Sequence, residues 1–160
     1  MRALDALLVL TAAPAAAQES GWSYSPAAGE GDRAAMGCAA GSTATQHTCL
    51  VVRCEDDFTV GIYVDVAPSV RGIGPWRLGI DRVTHDVTAA TAGAAPYDAR
   101  LEGDVAAIID DIRNGDRIYL DLLDGDPPAL NGISLRGSLL AINRALYFCA
   151  PRVVPDRLAQ

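Results

Sequence analysis

Four cysteines are the side chains whose type and spacing most directly indicate chemistry. Cys38, Cys49, Cys54 and Cys149 form an even set behind an alanine-rich, apolar start of the chain. An even cysteine count after an export leader is typical of disulfide bonds formed in an oxidising compartment. A metal site is disfavoured, because Cys49 and Cys54 point to opposite faces of a predicted strand and tetrahedral ligation needs convergent side chains. The sequence also lacks a Cys-x-x-Cys redox motif.

The predicted faces favour one of the three pairings that four cysteines allow. Cys54 shares a strand face with apolar neighbours, and Cys149 lies on the apolar stripe of the last predicted helix, so both point toward the core. Cys38 precedes Cys49 across the turn-rich stretch 41–45. The sequence therefore favours Cys38–Cys49 with Cys54–Cys149, and the other two pairings stay open.

His47, His85 and Ser138 are the candidates for hydrolase chemistry. A serine hydrolase needs serine, histidine and carboxylate side chains that converge in space. Asp86 follows His85, but adjacent strand residues point apart, so Asp86 is not expected to orient the imidazole. Ser138 lacks the flanks of a nucleophile elbow and is interpreted as the N-cap of the last helix. No catalytic residue is assigned, and a Ser/His hydrolase is the less favoured alternative.

Three aspartates around Gly125 are the candidates for calcium binding. Asp121, Asp124 and Asp126 precede a Pro-Pro pair, and carboxylate oxygens are the ligands that calcium prefers. Their spacing is not that of an EF-hand loop, and no glutamate follows at the closing position. A solvated Asp-Gly-Asp turn is the simpler interpretation. No metal or other cofactor is therefore expected.

Arg53, Tyr63 and Asp65 form a predicted contact surface. Tyr63 and Asp65 alternate with the apolar residues of a predicted strand, so they point away from the core row. An exposed tyrosine beside opposite charges is a common element of protein contacts, although a tyrosine on a solvated sheet face is the commoner arrangement. Trp76 shares a face with Leu78 and is assigned to the core instead.

The chain divides into a leader, one domain and a tail. Arg2, the apolar run 6–13 and Ala15-x-Ala17 predict a signal peptide over 1–17 with cleavage before Gln18, although Asp5 is unusual in such a leader. Residues 18–150 are of a length typical of one domain. The segment 151–160 contains two prolines and is predicted to be a flexible tail.

Composition and charge disfavour several classes of partner. The formal net charge is −7, and all 13 basic residues are arginines scattered along the chain. An acidic chain without a basic patch is a poor ligand for nucleic acid or for anionic membrane surfaces. The apolar run of the leader is shorter than the roughly 20 residues that a membrane-spanning helix needs. We therefore expect neither a nucleic-acid partner nor a membrane span.

Hydrophobic periodicity predicts an α+β fold with an antiparallel sheet. Apolar residues alternate along five segments, and the acidic turn 55–57 joins two of them as a hairpin. One helix is predicted over about 104–114, with Asp104 as its cap, and a second over about 138–149. The links are too short for parallel crossovers, so we expect an antiparallel sheet or two-sheet sandwich with two packed helices. The stretches 25–31 and 88–96 are predicted loops or weak edge strands.

The inward rows of the predicted strands and the stripes of the predicted helices define the expected core. They comprise Leu50, Val52 and Cys54; Val60, Ile62, Val64 and Val66; Trp76, Leu78 and Ile80; Ile118, Leu120 and Leu122; Ile133 and Leu135; Val105, Ile108, Ile109 and Ile112; and Leu139, Ile142, Leu146 and Cys149.

Short motifs extend along most of the mature chain: Trp22-x-Tyr24, Cys49-Leu50-x-x-Arg53-Cys54, Arg77-Leu78-x-Ile80-Asp81, Leu101 through Gly115-Asp116, and Leu135-x-Gly137-Ser138-x-x-Ala141-Ile142 followed by Cys149. Together they resemble small exported proteins of Gram-negative bacteria. One similar group is the accessory proteins associated with type VI secretion, and a looser likeness is to the invasion-associated locus B proteins. In the first group Cys38 and Cys49 have no counterpart, and a tryptophan usually follows the last cysteine.

The resemblance implies a periplasmic, non-enzymatic domain held by disulfide bonds, with no catalytic site to carry over. Together with the leader, it predicts a periplasmic or secreted binding or accessory protein whose partner is another protein of the cell envelope. Two alternatives are a secreted inhibitor that acts through a protruding loop at 68–75, and a calcium-dependent surface module.

Overall fold

The computed structural model describes most of the predicted domain. The predicted leader 1–17 and tail 151–160 lie outside the described residues, as do parts of the stretch 25–31 and of the loop 68–75. The described ranges are 21–26, 33–68, 73–93 and 95–149.

Within these ranges the chain forms nine β-strands, two α-helices and one 3-10 helix. In chain order they are β1 (Ser23–Pro26), β2 (Arg33–Cys38), β3 (His47–Cys54), β4 (Val60–Ala67), β5 (Gly74–Ile80), β6 (Val83–Thr91), β7 (Ala99–Glu102), α1 (Val105–Asn114), β8 (Arg117–Leu122), β9 (Gly132–Ser134), α2 (Ser138–Ala145) and the 3-10 helix (Leu146–Phe148).

All nine strands belong to one antiparallel sheet with the order β1-β2-β3-β4-β7-β6-β5-β8-β9. The predicted α+β class is confirmed, and the structure selects the single sheet over the sandwich. Ala39, just beyond β2, forms an isolated bridge with Ile133 in β9. Strands seven positions apart can meet only if the sheet curls, so the sheet wraps round its own core. No helix of the described residues is long and apolar enough to cross a membrane.

The predicted inward rows form the main core. Trp76, Leu78, Ile118 and Leu120 are each 0% exposed and share one cluster with the buried faces of both helices. Burying one large apolar side chain contributes roughly 1.5–3 kcal/mol. The register of the strands is therefore fixed, because a shift by one residue would turn the whole apolar row toward solvent.

The prediction for 88–96 is wrong over its first four residues. Thr88–Thr91 continue β6, which lies between β5 and β7 and pairs with both. Val87 and Ala89 point into the core, but alanine and threonine carry a weak hydrophobic signal, so their alternation did not predict a strand. In the stretch 25–31, Ser25 and Pro26 lie in β1, which is an edge strand as expected.

Helix α1 forms where the sequence predicted it. The carboxylate of Asp104 accepts a hydrogen bond from the Ala107 backbone N–H at 3.1 Å, which satisfies one of the free donors of the first turn. Ile108, Ile109 and Ile112 are buried. The helix ends at Asn114, and the Gly115 N–H donates to the Asp111 carbonyl at 2.8 Å.

Helix α2 differs from its prediction at both ends. Its N-cap is Gly137, at φ +85°, and no side chain caps it. The Ser138 hydroxyl is buried and donates instead to the Ile112 carbonyl of α1 at 2.7 Å. The α-helix ends at Ala145 and tightens into the 3-10 helix. Leu139, which was predicted to be buried, is 51% exposed, whereas the buried residues of this segment include Ala141, Ile142, Ala145 and Leu146.

Candidate functional site

Both favoured disulfide pairings are present. Cys38 and Cys49 lie directly opposite each other in the β2–β3 hairpin, with their Cα atoms 4.0 Å apart. Cys54, the last residue of β3, is bonded to Cys149, which follows the 3-10 helix. The four cysteines of the sequence, all of them described, are therefore paired. Two disulfide bonds point to a protein that folds in an oxidising compartment outside the cytosol.

The expected exposure of Tyr63 is wrong. Tyr63 is only 3% exposed and forms a small outer-face cluster with Ala34 and Val51. The ring of Tyr97, from the segment that leads into β7, packs against it with ring centroids 5.2 Å apart. Sequence reasoning placed Tyr63 correctly on the outer face, but it could not foresee that the segment between β6 and β7 covers that face.

The phenol of Tyr63 is also engaged. Its hydroxyl donates to the Glu55 carboxylate at 2.5 Å. Burial, together with this hydrogen bond and the negative charge of Glu55, raises the pKa of Tyr63 to about 12. The side chain is therefore neutral at physiological pH and links the outer face of β4 to the turn after Cys54.

The other two residues of the predicted contact surface have partners of their own. The Arg53 Nε lies 3.3 Å from a carboxylate oxygen of Glu55. Asp65 lies 3.5 Å from the Nε2 of His47. Burial raises the pKa of Asp65, and the neighbouring His47 opposes that shift. The role of Arg53 and Asp65 in binding a partner stays a prediction.

The residues considered for a hydrolase have three different hydrogen-bond partners. The Nε2 of His85 lies 2.7 Å from the carboxylate of Asp111 on α1, a partner that the sequence did not predict because it is 26 positions away. Asp86 points elsewhere, as expected, and accepts two hydrogen bonds from Arg77, at 2.7 and 3.0 Å. The Ser138 hydroxyl is buried and bonded to the backbone, so it is not accessible as a nucleophile.

The three calcium candidates do not form a cluster. Asp121, in β8, accepts a hydrogen bond from the Asn131 amide at 3.1 Å. Asp124 and Asp126 lie in an exposed turn. In the part of the chain that the structure describes, no group of three or more His, Cys, Asp or Glu side chains is placed to hold a metal ion.

The sequence analysis did not predict an exposed aromatic surface that lies near the Cys54–Cys149 bond. We define it as Phe58, Tyr147 and Phe148, which are 67%, 72% and 37% exposed. The rings of Tyr147 and Phe148 meet edge to face at 5.2 Å, and the guanidinium carbon of Arg33 lies 3.8 Å from the centroid of Phe148. Such stacking of a cation on an aromatic face is favourable.

Phe58 lies in the turn between β3 and β4, and this turn reaches the same disulfide bond. The carbonyl oxygen of its neighbour Thr59 lies 3.2 Å from the Sγ of Cys149. Phe58 itself has φ 65°, a left-handed conformation that costs a non-glycine residue roughly 1–2 kcal/mol. Two adjacent aromatic residues, Tyr147 and Phe148, directly before a cysteine could have indicated this surface. The hydrophobic periodicity assigned only the flanking residues, Leu146 and Cys149, to the buried face of the last helix.

A cavity that is open to solvent lies beside α1, and one of its lining residues, Val60, pairs with Cys54. Its volume is about 460 Å³, within the range of small-ligand sites. Its wall is formed by α1, by Val60 at the start of β4 and by Leu146 of the 3-10 helix. The lining side chains are Val60, Val105, Ala106, Ile109, Asp110, Arg113 and Leu146.

The loop 68–75 proposed for an inhibitor is described only in part. Residues 69–72 lie outside the described residues, and Ile73 is 56% exposed. Its role in inhibition stays a prediction.

Comparison of the chain with protein-family models, with curated proteins and with solved structures finds no match.

Proposed function

We propose that this chain is an exported binding or accessory protein that acts without catalysis, through contact with another protein of the cell envelope. The leader motif and the two disulfide bonds support a site of action outside the cytosol. Of the two compartments that fit, we propose the periplasm, because the resemblance to periplasmic accessory proteins favours it. The aromatic surface is the observation that carries the proposed mode of action.

Two properties of the aromatic surface favour recognition over stability. Aromatic residues are enriched at protein interfaces, and exposed side chains contribute little to folding. Phe58 is in addition exposed in a strained left-handed turn. A residue such as asparagine or glycine would stabilise the same turn better, so the phenylalanine is best explained by a contact that it makes with a partner.

The neighbouring Cys54–Cys149 bond explains how the aromatic surface could bind tightly. Tyr147 and Phe148 end a helical segment that the bond attaches to β3. A surface that is held in place before binding loses less conformational entropy when its partner docks. The proposed partner therefore meets a rigid surface and not a loose end of the chain.

The test is capture of a partner from an envelope extract of the organism that makes the protein. The disulfide-bonded mature chain is immobilised, and the retained proteins are identified and quantified by mass spectrometry. The double variant Phe58→Asn/Tyr147→Ala removes two aromatic side chains. Asparagine is chosen at position 58 because it tolerates the left-handed backbone conformation there. The control Val83→Ala/Leu123→Ala truncates two other exposed apolar residues.

We expect one protein to be retained by the wild type and by the control but lost, by about tenfold or more, with the aromatic-surface variant. Equal retention by both variants, or no retained protein at all, would contradict the proposal.

A further inference from the structure

The cavity beside α1 combines an apolar wall with Arg113, whose Nε has no hydrogen-bond partner in the part of the chain that the structure describes. Val60, Ile109 and Leu146 supply apolar surface, and Ala106 lies on the exposed side of the helix. Small-ligand sites typically pair such a wall with a few polar groups that fix the orientation of the ligand. Here the polar groups are Asp110 and Arg113.

The two charged side chains are not equivalent. The Asp110 carboxylate accepts from the side-chain amide of Asn114 at 3.3 Å, and its backbone carbonyl accepts from the same amide at 2.8 Å. The Nε of Arg113, in contrast, is buried and has no hydrogen-bond partner among the described residues. A buried donor without an acceptor is unfavourable, and a planar carboxylate is the acceptor that fits a guanidinium best.

We propose that this cavity binds a monocarboxylate with an apolar chain. The chain of the ligand lies against Val60, Ile109 and Leu146. A small rotation of the Arg113 side chain toward the cavity presents Nε and a terminal nitrogen to the carboxylate. This proposal is independent of the proposed function, since it concerns a cavity and not the aromatic surface.

The position of Arg113 makes the anion preference depend on this one side chain. Arg113 lies in the last turn of α1, where the helix dipole by itself repels anions. Asp110 adds negative charge on the same wall. A cavity without the Arg113 guanidinium should therefore bind a neutral or cationic ligand at least as well as an anionic one.

The test compares three ligands of equal chain length with different head groups: octanoate, octanol and octylammonium. Each is titrated into the disulfide-bonded mature protein at the same pH and ionic strength, and binding is followed by calorimetry and by amide chemical shifts. We expect one saturable site that binds octanoate about tenfold more tightly than octylammonium. The free energy of a charge-assisted hydrogen bond corresponds to a ratio of affinities of at least about this size.

Three variants separate the cavity from binding elsewhere. Arg113→Met should remove the preference for octanoate and leave octanol affinity within about twofold, because the apolar wall is intact. Ala106→Phe fills the cavity from the exposed side of α1 and should weaken all three ligands. Arg144→Met changes an exposed arginine on α2 that does not line the cavity and should change none of them.

The proposal is overturned if octanoate shows no saturable binding. It is also overturned if Arg113→Met keeps the octanoate preference, or if Ala106→Phe binds octanoate as the wild type does.

Discussion

The two disulfide bonds stabilise the molecule in different ways. Cys38 and Cys49 are 11 positions apart and already face each other in a hydrogen-bonded hairpin. Cys54 and Cys149 are 95 positions apart, and their bond attaches the last helical segment to the sheet. The chain-entropy estimate is about 3 kcal/mol for the short loop and about 4–5 kcal/mol for the long one.

The Cys38–Cys49 bond reinforces a hairpin that is already paired, whereas the Cys54–Cys149 bond joins two segments that are distant in sequence. The hairpin register would survive without Cys38–Cys49, because the backbone ladder and the apolar row also fix it. Two residues of the aromatic surface directly precede Cys149, and Val60, which lines the cavity, pairs with Cys54. The part of the molecule to which we assign function therefore depends on the long bond.

Removal of the long bond should have the largest effect. We expect Cys54→Ala/Cys149→Ala to lower the free energy of unfolding by about 4 kcal/mol, since the unfolded chain regains the freedom of a long loop. Urea unfolding followed by circular dichroism measures this value. A loss below that of the short-bond variant would contradict the comparison.

Removal of the short bond should have a smaller effect. Cys38→Ala/Cys49→Ala should lower the free energy of unfolding by about 2–3 kcal/mol, with a near-wild-type spectrum because the β2–β3 pairing is intact. The matched measurement is the same urea titration under identical conditions. A global loss of strand signal in this variant alone would show that the hairpin depends on its bond.

The Ser138 hydroxyl attaches the start of α2 to α1 through its hydrogen bond to the Ile112 carbonyl. Ser138→Ala leaves the buried Ile112 carbonyl without its donor and should cost about 1–2 kcal/mol. The exposed Leu139→Ala is the matched control and should stay within about 0.5 kcal/mol of the wild type. Thermal unfolding distinguishes the two variants. A Ser138→Ala variant as stable as the control would contradict the assigned hydrogen bond.

The smallest effect concerns pH and the turn that follows Cys54. The pKa of Tyr63 lies at about 12 in the folded state, above its ordinary value of 10.0. Because the neutral phenol is favoured by folding, its stabilising contribution is present below pH 10 and is lost as pH rises from 10 to about 12. Spectrophotometric titration should show a phenol that ionises at a pH of about 12.

Tyr63→Phe should remove that late ionisation step. Persistence of the late step in Tyr63→Phe would assign it to another tyrosine and contradict the burial argument.

Strong local periodicity made much of this fold predictable. The inward rows around Trp76 and Leu120 and the stripe of α1 each contain large aliphatic or aromatic residues at regular spacing, so their faces could be read directly. The disulfide pairings followed from those faces. Where the residues were small, as at Ala89 and Ala90 in β6, the same method failed.

The site was less predictable, because it depends on contacts between distant segments. Tyr63 is covered by Tyr97, and His85 meets Asp111; neither contact follows from the local sequence. Ser138 fits an N-cap pattern, yet its hydroxyl bonds to α1. The cavity is formed by side chains from β4, α1 and the 3-10 helix, so only their packing reveals it.

The most direct test of the account is regional hydrogen exchange in three proteins: the wild type, Cys54→Ala/Cys149→Ala and Cys38→Ala/Cys49→Ala. The account predicts that loss of the long bond raises exchange mainly in α2 and the 3-10 helix, residues 138–148, while loss of the short bond leaves that region protected. Equal protection of 138–148 in both variants would contradict the claim that the Cys54–Cys149 bond holds the proposed binding surface in place.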